Sequence, residues 1–162
     1  MLGLGENTAP PAGDLIKDGT EAGFMADVIE MSRTVPVIVD FWATWCGPCK
    51  TLGPALEAAV IAAKGKVKMV KIDVDQNQGL AGQMRIQSIP TVYGFWDGKP
   101  VDAFQGALPG SEIKAFVDKQ HRLTADPTVM LGQDDFYGQV EIEAHWRNGF
   151  PEAQKVSGSL LK

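Results

Sequence analysis

The chain contains two cysteines, placed as Cys46-Gly47-Pro48-Cys49 within the run Phe41-Trp42-Ala43-Thr44-Trp45-Cys46-Gly47-Pro48-Cys49-Lys50. A disulfide between them would close so small a ring that loop entropy credits it with about 2 kcal/mol at most, before the strain of the ring is subtracted. Such a pair is a poor staple and points to metal binding or redox chemistry instead. Zinc would need further ligands, and the two histidines, His121 and His145, lie far outside the roughly three-to-five-residue spacing of a zinc-binding histidine pair. No metal site is expected. Inert, buried cysteines are disfavoured by the adjacent Gly47-Pro48 and by the start of a helix. The remaining chemistry is thiol–disulfide exchange. Free backbone N–H groups and the positive end of a helix dipole lower the pKa of a thiol at Cys46 from about 8.5 toward neutrality, making it the nucleophile. Cys49, one helical turn on and on the same side, can attack the mixed disulfide in an intramolecular step.

That chemistry requires a strand leading into the motif and a helix leaving it. Val35 to Trp42 is β-branched and apolar almost throughout, the pattern of a strand buried on both faces of a parallel sheet. Asp40 is its one carboxylate, and burial without a partner would raise its pKa; the alternative is a strand-end carboxylate reaching solvent. After Cys49, residues Leu52, Leu56, Ala59, Val60 and Ala63 recur at helical spacing, with a kink expected at Pro54 and a stop at Lys64-Gly65. Val67 to Val74 is a second strand, which makes a right-handed crossover.

Upstream, Leu15 and Ile16 fit a short strand, and Thr20 can cap a helix running through Met31. Downstream, a short helix over 79–84 precedes Ile89-Pro90. Thr91 to Trp96 and Val101 to Gln105 flank Asp97-Gly98, a hairpin signal, and Ser111 is positioned to cap a helix carrying Ile113, Phe116 and Val117. The result is an α/β domain with a mixed central sheet and helices on both faces. Trp42 and the methionines Met25, Met31, Met69 and Met84 fit core positions, whereas Trp45 fits an exposed aromatic rim. The expected organisation is a loosely attached lead over 1–13, the domain over 14–122, and a C-terminal extension over 123–162 with a candidate edge strand at 139–147, where Val140, Ile142, Ala144 and Trp146 alternate with polar residues.

With 162 residues, 44% of them apolar and 22% charged, the chain has ordinary globular composition and is long enough for one buried core. Its net charge of −5 repels phosphate backbones and anionic lipid, so neither nucleic acid nor a membrane is an expected partner. The longest apolar run, Ala58 to Ala63, is far short of the roughly 18 residues that suggest a spanning helix. Lys17 is the first basic residue and follows a Gly/Pro-rich start, which is unlike a secretory signal; a cytoplasmic protein is expected.

The sequence from 14 to 120 resembles the thioredoxin family. The resemblance rests on Val39-Asp40-Phe41-Trp42-Ala43, Trp45-Cys46-Gly47-Pro48-Cys49-Lys50, Lys71-Ile72-Asp73-Val74-Asp75, Ile89-Pro90-Thr91 and Gly106-Ala107-Leu108. The tryptophan-led cysteine motif combined with the downstream Ile-Pro-Thr is highly specific. The resemblance implies the thioredoxin fold and a protein disulfide reductase whose only redox group is the Cys46–Cys49 disulfide. Electrons would come from NADPH through a separate thioredoxin reductase. It also implies a cis Pro90 facing the sulfurs, against the plainer reading that this proline only starts a strand. Ile89 would offer its backbone to an extended substrate. Asp40 becomes the acid/base that deprotonates Cys49, with Lys71 as its partner; a snorkelling surface lysine is the alternative for Lys71. Trp45, Gly47, Pro48, Ile89, Pro90 and Gly106 form the expected substrate-facing surface.

The N-terminal segment, 79–83 and 104–110 are also similar to the redox domain of chaperedoxins, which hold unfolded clients on helical repeats. That similarity implies an alternative function as a redox-active holdase. The segment after His121, however, alternates with period two instead of showing repeats of roughly 34 residues. The carrier reading is therefore favoured, with a monomer expected and the tail available for contacts with a partner.

Overall fold

The computed structural model describes residues 12–124, and at its centre lies a five-stranded sheet in the order β1-β3-β2-β4-β5. The strands are β1 (Ile16–Asp18), β2 (Val37–Trp42), β3 (Lys68–Asp73), β4 (Thr91–Trp96) and β5 (Lys99–Gln105). β1 and β2 run parallel to β3, and β4 is antiparallel to both β2 and β5. Four α-helices accompany them among the described residues: α1 (Ala12–Leu15), α2 (Gly47–Ala62), α3 (Gln78–Gln83) and α4 (Gly110–Arg122). This is the mixed sheet with a parallel crossover and an antiparallel hairpin that the sequence implies.

Alternation along the buried strands sorts their side chains into two cores. Val37, Val39 and Phe41 of β2, with Val70, Ile72, Tyr93 and Phe95, pack against Phe24, Val28, Ile29 and Leu80 on one face. Ile38, Met69 and Val92 pack on the other against Leu52, Leu56 and Val60 of α2 and Phe116 and Val117 of α4. Asp40 lies two residues after Ile38, and Lys71 two after Met69, so both project to the α2 side. The parallel register sets them directly opposite one another.

Several local expectations are corrected. Leu15 closes the short α1, and the first strand starts at Ile16. The helix expected from Thr20 is replaced by a turn, a π-helical segment over Met25–Glu30 and a 3-10 turn over Met31–Arg33. Thr20 caps the turn, its Oγ1 accepting from the Gly23 amide at 3.1 Å, while the wider winding turns Phe24, Val28 and Ile29 inward together. Pro54 sits inside α2 without dividing it. Ser111 does not cap α4, which begins at Gly110 after Pro109 and has no side-chain cap. The hairpin turn is as expected, with φ of 53° at Asp97 and 80° at Gly98. Ser32 anchors its tip, accepting from the Asp97 amide at 2.8 Å through its carbonyl and from the Gly98 amide at 2.9 Å through Oγ. The lead before residue 12 and the extension past 124, with Trp146 and the candidate strand 139–147, lie outside the described residues.

Candidate active site

Cys46 is the N-cap of α2, with extended backbone (φ −81°, ψ 109°), and Pro48 occupies the first turn. Proline suits this position because it has no N–H to leave unpaired. The next amide, that of Cys49, donates to Cys46 Sγ at 3.2 Å. A sulfur thus takes the place of the Ser or Asp oxygen that usually caps a helix. In the reduced protein the same amide and the helix dipole would stabilise negative charge on that sulfur. The structure holds the oxidised form, with Cys46 and Cys49 joined in a disulfide.

Both cysteines are buried, at 4% and 5% exposure, which corrects the inference from Gly47-Pro48 that they would not be. They pack with Ala43 against Trp42, Val74 and Ile89. Gly47 and Pro48 are exposed above them, and Trp45, at 67% exposure, forms a rim. The Trp45 indole is anchored by its Nε1–H, which donates to Asp75 Oδ2 at 2.8 Å. Asp75 stood in the sequence motif without a role.

The Ile89–Pro90 peptide bond is cis. Ile89 touches the cysteine cluster, and Thr91 Oγ1 donates to the Ser88 carbonyl at 2.6 Å across the proline turn. Gly106, with φ of 80°, donates its amide to the Pro90 carbonyl at 2.9 Å. Ile89 is thereby brought to the cysteines and Gly106 to Pro90, from segments distant in sequence, with Pro90 itself buried.

Behind the cysteines is a cavity of about 200 Å³ shared by Asp40, Cys49, Glu57 and Lys71, with Trp42 and Lys50 also on its wall. Asp40 is 2% exposed and its Oδ1 has no hydrogen-bond partner. Burial pushes its carboxyl up to about 6, Lys71 opposes that rise, and Glu57 adds to it. Strand register brings the expected partner Lys71 opposite Asp40, and its charge acts on that carboxyl; the ammonium, however, makes its direct ion pair with Glu57 Oε1, at 3.1 Å. It also lies 5.1 Å from the centre of the Trp42 ring. Trp42 is consequently half-buried between site and solvent rather than a core residue, with its Nε1 buried and without a hydrogen-bond partner. Glu57 was missed in the sequence, although Cys49, Gly53 and Glu57 follow the spacing of one helical face. Among the described residues no group of three or more His, Cys, Asp or Glu side chains is gathered as for a metal, and no helix is long and apolar enough to cross a membrane.

Residues 16–119 match the Thioredoxin family profile. The chain is 42% identical over 100 residues to Thioredoxin 1 of Synechococcus elongatus, an alignment covering 62% of this chain and 92% of that one. It is 40% identical over 102 residues to the thioredoxin of Chlorobaculum thiosulfatiphilum, covering 63% and 93% respectively. In three dimensions it is similar to the crystal structure of Malassezia sympodialis thioredoxin (Mala s 13), with a TM-score of 0.58 and 32% identity over 66% of this chain and 90% of the other. The expected similarity to chaperedoxins gains no support from these matches.

Proposed function

The chain belongs to the thioredoxin family, and from that premise we propose that this thiol–disulfide oxidoreductase works in the reducing direction, carrying electrons from NADPH and a thioredoxin reductase to protein disulfides. The observation that carries the exchange chemistry is the capping of α2 by Cys46, whose sulfur accepts from the Cys49 amide, while the reducing direction is taken from the thioredoxin relatives. That geometry favours a thiolate at the nucleophilic position.

In the reduced protein the Cys46 thiolate attacks one sulfur of a substrate disulfide. The substrate S–S bond breaks, a mixed disulfide forms, and the first substrate thiolate leaves and takes up a proton. Cys49 then gives its proton to the Asp40 carboxylate and attacks Cys46 Sγ, releasing the second substrate thiolate and restoring the internal disulfide. Two electrons pass to the substrate in each cycle. An Asp40 carboxyl near 6 is ionised at neutral pH yet basic enough to accept that proton. Lys71 moderates its charge. Trp45, Gly47, Pro48, Ile89, Pro90 and Gly106 provide the surface for an extended substrate segment, with the backbone beside Pro90 offering hydrogen bonds. A cytoplasmic setting fits this direction of transfer, because thiols there are kept reduced.

The test is NADPH-dependent reduction of insulin in the presence of a thioredoxin reductase, with Cys46→Ser as the blank. Turnover abolished by the substitution supports the carrier. A pair that dithiothreitol reduces but that takes no electrons from the reductase overturns it.

A further inference from the structure

The half-buried Glu57 and Lys71 side chains are ion-paired on the cavity that Asp40 shares with Cys49. We propose that Glu57 is a positioning residue that sets the proton affinity of Asp40 through Lys71: by engaging the ammonium, it weakens the hold of Lys71 on the opposing carboxyl. The inference rests on the acid/base role given to Asp40 above.

The argument is a competition between two carboxylates for one cation. Lys71 stands opposite Asp40 in the strand register, so a fully extended partnership between them is the simplest outcome of the fold. Glu57 is the cheaper partner, because its side chain keeps 30% of its exposure while Asp40 would have to hold its charge almost entirely out of water. The ammonium accordingly lies 3.1 Å from Glu57 Oε1 and is held on its other side by the face of Trp42. Asp40 Oδ1 is left buried and unbonded. Seen from Asp40, the positive charge of Lys71 is partly offset by the negative charge of Glu57. The remaining ionisable groups on this cavity are Lys50, at its mouth on α2, and Cys49, which titrates only when reduced. Neutralising Glu57 frees Lys71 for Asp40 and removes a like charge; both effects favour the Asp40 carboxylate.

The experiment is a carbon-13 carboxyl titration of the oxidised protein labelled at aspartate, in which neither cysteine titrates, with the Asp40 signal assigned by Asp40→Asn. Wild type is compared with Glu57→Gln, Lys71→Gln and the double variant. In parallel, stopped-flow reaction of each reduced protein with DTNB follows the second phase, the attack of Cys49 on the mixed disulfide, as a function of pH. Glu57→Gln is expected to lower the Asp40 midpoint by about one pH unit, to move the second-phase profile the same way, and to have a smaller effect when Lys71 is already Gln. An unmoved Asp40 midpoint overturns the inference. A fall of equal size in the Lys71→Gln background overturns the route through Lys71. If the midpoint falls but Asp40→Asn leaves the second-phase profile unchanged, the acid/base role of Asp40 is overturned and the coupling among the three residues stands.

Discussion

Gly106 donates its backbone amide to the carbonyl of Pro90 at 2.9 Å, so the end of β5 is tied to the loop that carries the cis Ile89–Pro90 bond. The glycine has φ of 80°, a left-handed conformation in which a Cβ is unfavourable. A Cβ added there would meet nothing within 4 Å, so any cost of substitution comes from the backbone and from whatever binds above it.

Gly106→Ala is therefore expected to lower stability by about 1 kcal/mol and to slow reduction of insulin more than reduction of a small disulfide such as DTNB. Urea melts and parallel steady-state assays check both. Equal losses on the two substrates would remove Gly106 from the protein-binding surface.

Cys49→Ser leaves the Cys46 nucleophile and the amide that caps it in place, but removes the resolving sulfur. The expected product is a persistent mixed disulfide between Cys46 and the substrate, visible by mass spectrometry and cleaved by dithiothreitol. Release of substrate at the wild-type rate would assign resolution to another group.

Asp40 makes stability depend on pH with a definite sign. Burial raises its carboxyl from 3.8 in the unfolded reference to about 6 in the fold, so the native state binds the proton more tightly. Relative stability is full below about pH 4 and is lost as the pH rises through about 6. At pH 7 the buried charge costs about 3 kcal/mol. Asp40→Asn, which stays neutral, should thus raise the urea midpoint of the oxidised protein at pH 7 and bring little gain near pH 3.5. A gain independent of pH would show that side-chain shape, not charge, is responsible.

The elements around the cysteines were legible because their signals are local. The apolar run into Trp42, the Cys-Gly-Pro-Cys turn, the helical spacing from Leu52 and the Asp97-Gly98 turn each fix geometry within a few residues. What escaped depends on contacts between elements. The winding over Met25–Glu30 follows from how Phe24, Val28 and Ile29 fill one core, and apolar spacing alone does not separate a π-helix from an α-helix. Glu57 was overlooked because its partner lies on β3, whereas Asp40 stood out as a charge in an apolar strand. The burial of the cysteines is likewise tertiary: Ile89 and Val74, which cover them, come from segments well beyond the motif.

The start of α3 gives a last prediction of this tertiary kind. Its N-cap, Asn77, makes no capping bond to its own helix; instead Asn77 Oδ1 accepts from the Glu21 amide at 2.9 Å. Glu21 returns the contact, its Oε1 accepting from the Leu80 amide at 2.7 Å, so the cap comes from the loop after β1. The carboxylate also faces the positive end of the short helix. Glu21→Ala should lower stability by about 1 kcal/mol and speed hydrogen exchange at the Leu80 amide, while Glu21→Gln, which keeps the acceptor but not the charge, should lose less. Because Glu21 is exposed and absent from the cavity behind the cysteines, the DTNB second phase should be unchanged in both variants. Slower exchange at Leu80, or a loss as large for Gln as for Ala, would show that this carboxylate does not act as the cap.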